Sequence, residues 1–164
     1  MSQFLFAPSF QSPWYWTLHV VVWTIVCLRT LGVPYDMLLR ARRLPEVAAR
    51  VDLLANLTAE RLAGVVDAAG APLAALAGFL LAALAAIGFG YGIQAAQAIF
   101  LIVAPLAAIG YSKVRLALWI HQSRLVGPRL VLALSWRRTC HQAIAILAML
   151  AAVAVATLRT GGVL

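Results

Sequence analysis

The sequence predicts an all-α integral membrane protein with four transmembrane helices and cytoplasmic interfacial amphipathic helices. The first observation is composition, since 64% of the 164 residues are hydrophobic and the mean hydropathy is +0.94. The second is charge, because only 11% of the residues are charged, less than half the usual share of a soluble domain. The third is the concentration of these charges in two segments between apolar runs. One helix bundle fits this length, so residues 1–164 are predicted to form a single membrane domain.

The first span is predicted at residues 14–31. It begins with Trp14, Tyr15 and Trp16, whose amphipathic rings are predicted to anchor the helix at the membrane interface. Gly32 and Pro34 are predicted to end it. No basic n-region precedes this run and no small-residue cleavage site follows it, so we interpret it as a span and not as a signal peptide.

Residues 32–65 form the first predicted cytoplasmic segment. Pro34 and Asp36 are predicted to open a short helix there, and Pro45 to close it. Asn56 and Thr58 carry capping chemistry that interrupts the following helical pattern. We therefore predict two short amphipathic helices on the membrane surface, the second of which runs into span two.

Spans two and three are predicted at residues 66–89 and 93–111, joined by a tight uncharged turn at 88–92. Small residues recur every four positions along span two, which predicts a face that another helix can approach closely. Pro105 lies inside span three and predicts a kink, because proline frees a backbone carbonyl. The members of the small-residue stripe of span two are Gly70, Ala74, Gly78, Ala82 and Ala86.

Residues 112–138 form the second predicted cytoplasmic segment, an interfacial amphipathic stretch that breaks at Gly127-Pro128. The last span is predicted at residues 139–158, with a packing face formed by Ala148, Ala152 and Ala156. Basic side chains of the two segments are predicted to contact anionic membrane lipid or an acidic partner. These residues are Arg40, Arg42, Arg43, Lys113, Arg115, Arg124, Arg129, Arg137 and Arg138.

The distribution of positive charge predicts the orientation. The 32–65 segment holds five arginines and the 112–138 segment six basic residues, whereas residues 1–13 and the 88–92 turn hold none. Because positive residues are retained in the cytoplasm, both segments are predicted to face it, with both termini periplasmic in a bacterial inner membrane. Arg159, near the C-terminus, is the one exception.

Several classes of function are disfavoured by the residues. The sequence pI near 10.8 would suggest nucleic acid in a soluble protein, but these charges follow a topology pattern. Cys27 and Cys140 are predicted to be free thiols, and His19 and His141 to be interfacial side chains too far apart in depth to share a haem. No paired carboxylates, Ser/His/Asp set, P-loop or dinucleotide fingerprint occurs, so we predict no enzyme, cofactor or metal site. Asp67, at the start of span two, is predicted either to pair with Arg61 or Arg115 or to be functional.

The stretch from Trp14 to Arg43 resembles a family of small inner-membrane proteins of alphaproteobacteria. The resemblance is carried by the Trp-rich first span, "LGVPYDM" (31–37) and the arginine cluster, and "QAIFLIVAPLAAIG" (97–110) is similar too. Members are sometimes labelled components of Suf-type iron–sulfur assembly, although no ATPase, scaffold or cysteine-donor feature occurs here. The resemblance carries over no functional residues.

These features predict a non-catalytic accessory or assembly subunit of a larger photosynthetic or respiratory inner-membrane complex. The energy-converting host is implied by where the resembling families occur. The alternative is a lipid-, quinone- or pigment-binding protein that uses the aromatic first span and the kink at Pro105. A small transporter is the third reading, although spans two and four carry almost no polar side chains.

Overall fold

A computed structural model describes residues 9–161, and five α-helices account for most of them. The helices are α1 (Pro13–Leu28), α2 (Tyr35–Ala41), α3 (Pro45–Ala85), α4 (Gln94–Ser123) and α5 (Gly127–Thr160), with a short 3-10 turn at Ser9–Gln11. The predicted all-α class is confirmed. Residues 1–8 and 162–164, on which the predicted periplasmic placement of the termini depends, lie outside the described residues.

Three of the helices are long and apolar enough to cross a membrane. The helix α3 has 41 residues, α4 has 30 and α5 has 34. At ~1.5 Å per residue each exceeds the ~30 Å hydrocarbon core of a bilayer. The helix α1 is apolar but has 16 residues, fewer than the ~20 that span a bilayer without tilt or thinning. The chain is therefore an all-α protein with three helices long and apolar enough to cross a membrane, and the number of four spans stays a prediction.

The first helix ends at Leu28, three residues before the predicted end, because a small hairpin follows it. Strand β1 (Arg29–Thr30) pairs antiparallel with β2 (Val33–Pro34). Leu31 and Gly32 form the turn with φ values of 50° and 76°. Positive φ at both central residues is the requirement of a type I′ turn, which glycine meets at no steric cost.

The helix α2 begins directly after Pro34, with Asp36 in its first turn, as predicted. The predicted role of Pro45 is wrong: it does not close α2 but begins α3. Proline suits the first position of a helix because its missing N–H would have no intrahelical partner there.

The predicted interruption at Asn56 and Thr58 is also wrong, since α3 runs unbroken through both residues. The Thr58 hydroxyl donates to the carbonyl of Leu54 at 2.8 Å, and Asn56 Nδ2 donates to the carbonyl of Asp52 at 2.8 Å. Asparagine and threonine side chains often cap the first turn of a helix, but within a helix they can instead donate to a carbonyl of the preceding turn. The second predicted surface helix is thus the first part of one long helix.

The second basic segment likewise contains no separate interfacial helix. Residues 112–123 continue α4 and residues 127–138 begin α5, with a short turn between them. This turn lies where Gly127-Pro128 predicts a break, and Gly127 has a φ of 65°.

The turn predicted at 88–92 begins as a π-helical extension of α3, Ala86–Gly90. The backbone then turns at Gly92, whose φ is 69°.

The chain divides into two compact units, to each of which α1, α3, α4 and α5 contribute. Unit 1 comprises residues 1–23, 72–108 and 144–164, and unit 2 comprises 24–71 and 109–143. Every charged residue of the sequence except Arg159 belongs to unit 2. The core of unit 1 contains Phe10, Tyr15, Ala98, Leu101, Ile102 and Ala152. The core of unit 2 contains Leu31, Val33, Leu38, Val51, Ala55, Ala59, Leu116, Ala117, Ile120, Leu130, Val131 and Leu134.

Candidate binding surfaces

A polar pocket of about 240 Å³ in unit 2 lies between α2 and α5. The α5 wall consists of Ser135, Arg138, Thr139 and Gln142. Their spacing of three, four and seven residues places them on one face of the helix. Arg42, which caps the end of α2, lines the opposite wall, and its guanidinium donates a long hydrogen bond of 3.4 Å to Ser135 Oγ. The sequence predicted both Arg42 and Arg138 as contact residues but did not predict that they line one pocket.

The Arg138 guanidinium is stacked on an aromatic ring at this pocket. Its central carbon lies 3.7 Å from the ring centroid of Tyr35, the first residue of α2. A cation over a tyrosine face is stabilised by the quadrupole of the ring, which also fixes the plane of the guanidinium. Leu38 and Leu39 supply apolar lining beside this pair. The pocket therefore combines an oriented cation with an apolar wall.

A second polar cluster in unit 2 joins α4 to α5. Ser112 Oγ accepts a hydrogen bond from Arg137 Nη1 at 3.1 Å and lies 3.2 Å from His141 Nε2. His141 is 1% exposed, and its buried Nδ1 has no hydrogen-bond partner among the described residues. A serine activated for nucleophilic attack needs its histidine oriented by a third group, which Nδ1 lacks here. We interpret the cluster as a structural link between the two helices.

The turn between α4 and α5 is held by two side chains of α3. The backbone N–H of Gly127 donates to both carboxylate oxygens of Asp52, at 2.9 and 3.0 Å. Asn56 Nδ2 also lies 3.3 Å from the carbonyl of Leu125, to which it donates. A carboxylate at this position satisfies a free N–H and complements the positive end of the α5 dipole.

The remaining predicted basic residues do not form one site. Arg115 lies near the Tyr111 ring, with its guanidinium carbon 6.0 Å from the centroid. Arg129 and Arg137 border a cleft with Trp119 and Trp136. Lys113 is half-buried, and the exposed members without such neighbours are Arg40, Arg43 and Arg124. Asp67 is exposed on α3, and its predicted pairing stays a prediction.

The three predicted interface anchors lie in different environments. Trp14 is 81% exposed, as an anchor should be, whereas Tyr15 belongs to the core of unit 1. Trp16 is half-buried, and its indole Nε1 donates to the carbonyl of Phe10 at 2.9 Å. The anchoring role thus stays a prediction that suits Trp14 best.

One face of α1 carries buried polar atoms that lack partners. Tyr15, His19 and Trp23 follow one another at four-residue spacing, and the ring centroids of successive members are 5.5 and 5.9 Å apart. The Tyr15 hydroxyl, both His19 ring nitrogens and Trp23 Nε1 are buried with no hydrogen-bond partner among the described residues. His19 is 0% exposed and is therefore buried within the chain, while its predicted interfacial depth stays a prediction. The i, i+4, i+8 spacing was the signal that could have placed it on a buried face.

Arg159 completes a polar network in unit 1. Its Nε donates to Oε1 of the buried Gln97 at 3.0 Å, and its Nη2 donates to the carbonyl of Gly92 at 2.9 Å. Gln97 Nε2 in turn donates to the carbonyl of Gly88 at 2.8 Å. A Cβ at Gly88 would lie 2.9 Å from the backbone nitrogen of Gln97, so this approach requires glycine.

Most of the small-residue stripe of α3 is left uncovered by the described residues 9–161. Only 6% of the most apolar 18-residue stretch of this helix is buried, against 28% for α4 and 22% for α5. Gly70 is half-buried, and Ala74, Gly78, Ala82 and Ala86 are exposed. On α5, by contrast, Ala148 and Ala152 of the predicted packing face are buried.

Neither cysteine is oxidised to a disulfide in the described chain, where Cys27 and Cys140 are free and half-buried. Within residues 9–161, no group of three or more His, Cys, Asp or Glu side chains is placed to hold a metal ion.

No protein-family model, curated protein or solved structure matches this chain. The fold and its surfaces alone define the class, an all-α protein whose long apolar helices can cross a membrane. The resemblance to an alphaproteobacterial inner-membrane family stays a prediction.

Proposed function

We propose that this chain is a non-catalytic accessory or assembly subunit of a larger membrane complex and docks on partner helices through the stripe of α3. The exposure of that stripe carries the proposal. Helices associate in hydrocarbon through close packing at small residues, because lipid provides no hydrophobic driving force. On α5, Ala148 and Ala152 provide close packing within the chain. The exposed α3 stripe is available to pack against a helix of another protein.

The proposed setting is the bacterial inner membrane, with the basic segments at the cytoplasmic face. The concentration of charge in unit 2 supports this orientation, since lysine and arginine accumulate on the cytoplasmic side. We further propose an energy-converting complex, photosynthetic or respiratory, as the host, and this part rests on the family resemblance.

Affinity purification in mild detergent tests the docking. We expect a tagged wild-type chain to retain partner subunits, identified by mass spectrometry. Gly78→Leu should reduce their recovery about tenfold, because overpacking a close contact costs ~1–3 kcal/mol. No atom outside the local helix lies within 4 Å of a Cβ added at Gly78, so the fold itself should tolerate the change.

The matched control is Leu80→Phe, an enlargement of an exposed residue that lies about 160° around the helix from Gly78. It should leave recovery unchanged. Equal loss in both variants, or a wild-type chain that purifies alone, would overturn the docking proposal.

A second candidate function is the binding of a lipid, quinone or pigment at α1. The unpartnered polar atoms of Tyr15, His19 and Trp23 favour it, since buried polar groups are normally hydrogen-bonded. The aromatic rings of the same three side chains lie next to one another. A ligand with an apolar body and a polar group would supply what they lack.

Organic extraction of the purified protein, followed by absorbance and mass spectrometry, tests this candidate. We expect one small molecule per chain, lost in His19→Leu and retained in the exposed control His121→Leu. A wild-type protein that releases no such molecule would exclude the candidate.

A further inference from the structure

We propose that the pocket between α2 and α5 binds the phosphate of an anionic phospholipid headgroup. This site does not depend on the docking proposed for α3. It is more specific than a diffuse attraction of arginines to the membrane, because two of them converge on one pocket. None of its eight lining residues is acidic, so the pocket has no carboxylate to repel an anion.

The donors of the pocket suit a phosphate. Arg42 and Arg138 approach from opposite walls, and each guanidinium carries five N–H donors in a planar fork that matches phosphate oxygens. The hydroxyls of Ser135 and Thr139 donate to backbone carbonyls of their own helix at 2.8 and 3.3 Å. Their oxygens can still accept bonds from the arginines, as Ser135 does from Arg42. The two guanidinium groups and the amide of Gln142 therefore supply the donors for an anion.

One of these cations is already oriented. Stacking on Tyr35, at 3.7 Å from the ring centroid, restricts the Arg138 guanidinium to one plane before any ligand arrives. An oriented fork loses less conformational entropy when it binds than a mobile side chain does. This geometry requires arginine, since a lysine ammonium presents a point charge without a plane.

The position of the pocket along the sequence favours a lipid over free phosphate. Gln142 is followed by fourteen residues, 143–156, without a polar side chain, which is the apolar part of α5. The pocket thus lies where charged residues give way to an apolar helix, the depth at which phospholipid phosphates lie. Leu38 and Leu39 provide an apolar wall for the glycerol end of the lipid.

Native mass spectrometry of the full chain, released from detergent with added lipid, tests the proposal. We expect adducts of phosphatidylglycerol that exceed those of phosphatidylcholine. Arg42→Gln and Arg138→Gln should each reduce phosphatidylglycerol affinity about fivefold, the effect of one arginine contact with an anionic lipid. The control Arg50→Gln removes the same charge from an exposed position of α3 that does not line the pocket, and should change nothing.

Arg138→Lys separates a built site from general electrostatic attraction. It keeps the charge but loses the plane, so affinity should fall nearly as far as in Arg138→Gln. Full affinity in Arg138→Lys, or an equal loss in Arg50→Gln, would overturn the site. Competition by inorganic phosphate as effective as that by the lipid would assign the pocket to a free anion. Unchanged lipid binding with loss of a co-purifying protein in the two glutamine variants would assign it to an acidic partner. Either result would contradict the lipid proposal.

Discussion

Arg159 connects the end of α5 to the first turn of α4 through Gln97 Oε1, and to the segment between α3 and α4 through the carbonyl of Gly92. Both contacts are charge-assisted, and such bonds contribute more than neutral ones. This arginine is the exception to the distribution of positive charge, and the network gives it a structural role that does not involve orientation.

A double-mutant cycle tests that role. We expect Arg159→Gln and Gln97→Leu each to destabilise the protein in detergent. Together they should cost less than the sum, with a coupling of about 0.5–3 kcal/mol, because each change removes the same bond. Thermal unfolding followed by circular dichroism measures it, and strictly additive effects would show that the two side chains do not interact.

Two glycines near the same network offer a matched comparison. A Cβ at Gly88 would clash with the backbone of Gln97, whereas a Cβ at Gly90 would meet nothing within 4 Å. We expect Gly88→Ala to destabilise by about 1–3 kcal/mol through overpacking. Gly90→Ala should be neutral or slightly stabilising, because it restricts the unfolded chain. Thermal unfolding of the two variants would contradict this account if their order were reversed.

Among the helices, α5 depends on a cap supplied from a distant part of the chain. Leu125 and Val126, which precede Gly127, have no side-chain oxygen, so the sequence near this helix offers no local N-cap. Asp52, on α3, accepts from the Gly127 N–H instead. A cap supplied by a residue 75 positions away in the sequence cannot be predicted from local sequence patterns.

Asp52→Asn tests this cap. It removes the negative charge and one acceptor, and should cost about 0.5–2 kcal/mol. The control Glu60→Gln neutralises an exposed carboxylate two turns further along α3 and should have little effect. Thermal unfolding in detergent compares them, and equal losses would mean that charge alone, and not the cap, stabilises α5.

Helix content and apolar runs were predictable because they depend on composition and local spacing. The short helix after Pro34 and the breaks near 90 and 127 followed from proline, glycine and Asp36. The unbroken course of α3 through Asn56 and Thr58 did not, because both side chains find partners on the preceding turn that capping rules do not anticipate. The pocket was predicted only as separate arginines, since the meeting of Arg42 with Ser135 is a tertiary contact.

Across the chain, the charged residues are concentrated in one of the two units. Unit 2 holds all acidic residues and all basic ones but Arg159, while the described part of unit 1 is otherwise uncharged. Such a division is expected of a protein with one part in hydrocarbon and another at a charged interface. It supports the orientation that the sequence predicts.

Single-cysteine labelling of intact cells tests that orientation and the number of spans. In a background without Cys27 and Cys140, a membrane-impermeant maleimide should label Ser12→Cys and Tyr91→Cys. Val126→Cys, in the exposed turn between α4 and α5, should react only after lysis. Labelling of Tyr91→Cys but not of Ser12→Cys in intact cells would reduce the predicted four spans to three.

The docking of the α3 stripe is the central claim, and site-specific photo-crosslinking tests it most directly. Phe79 is exposed and borders the stripe, about 60° around the helix from Ala82, and benzoylphenylalanine retains its phenyl ring and extends it by a photoreactive benzoyl group. The same probe at the exposed neighbour Leu80 lies at a similar depth but faces away from the stripe. We expect illumination of intact membranes to join position 79, and not position 80, to one defined protein. Lipid adducts alone at position 79, or the same protein adducts from both positions, would contradict the claim.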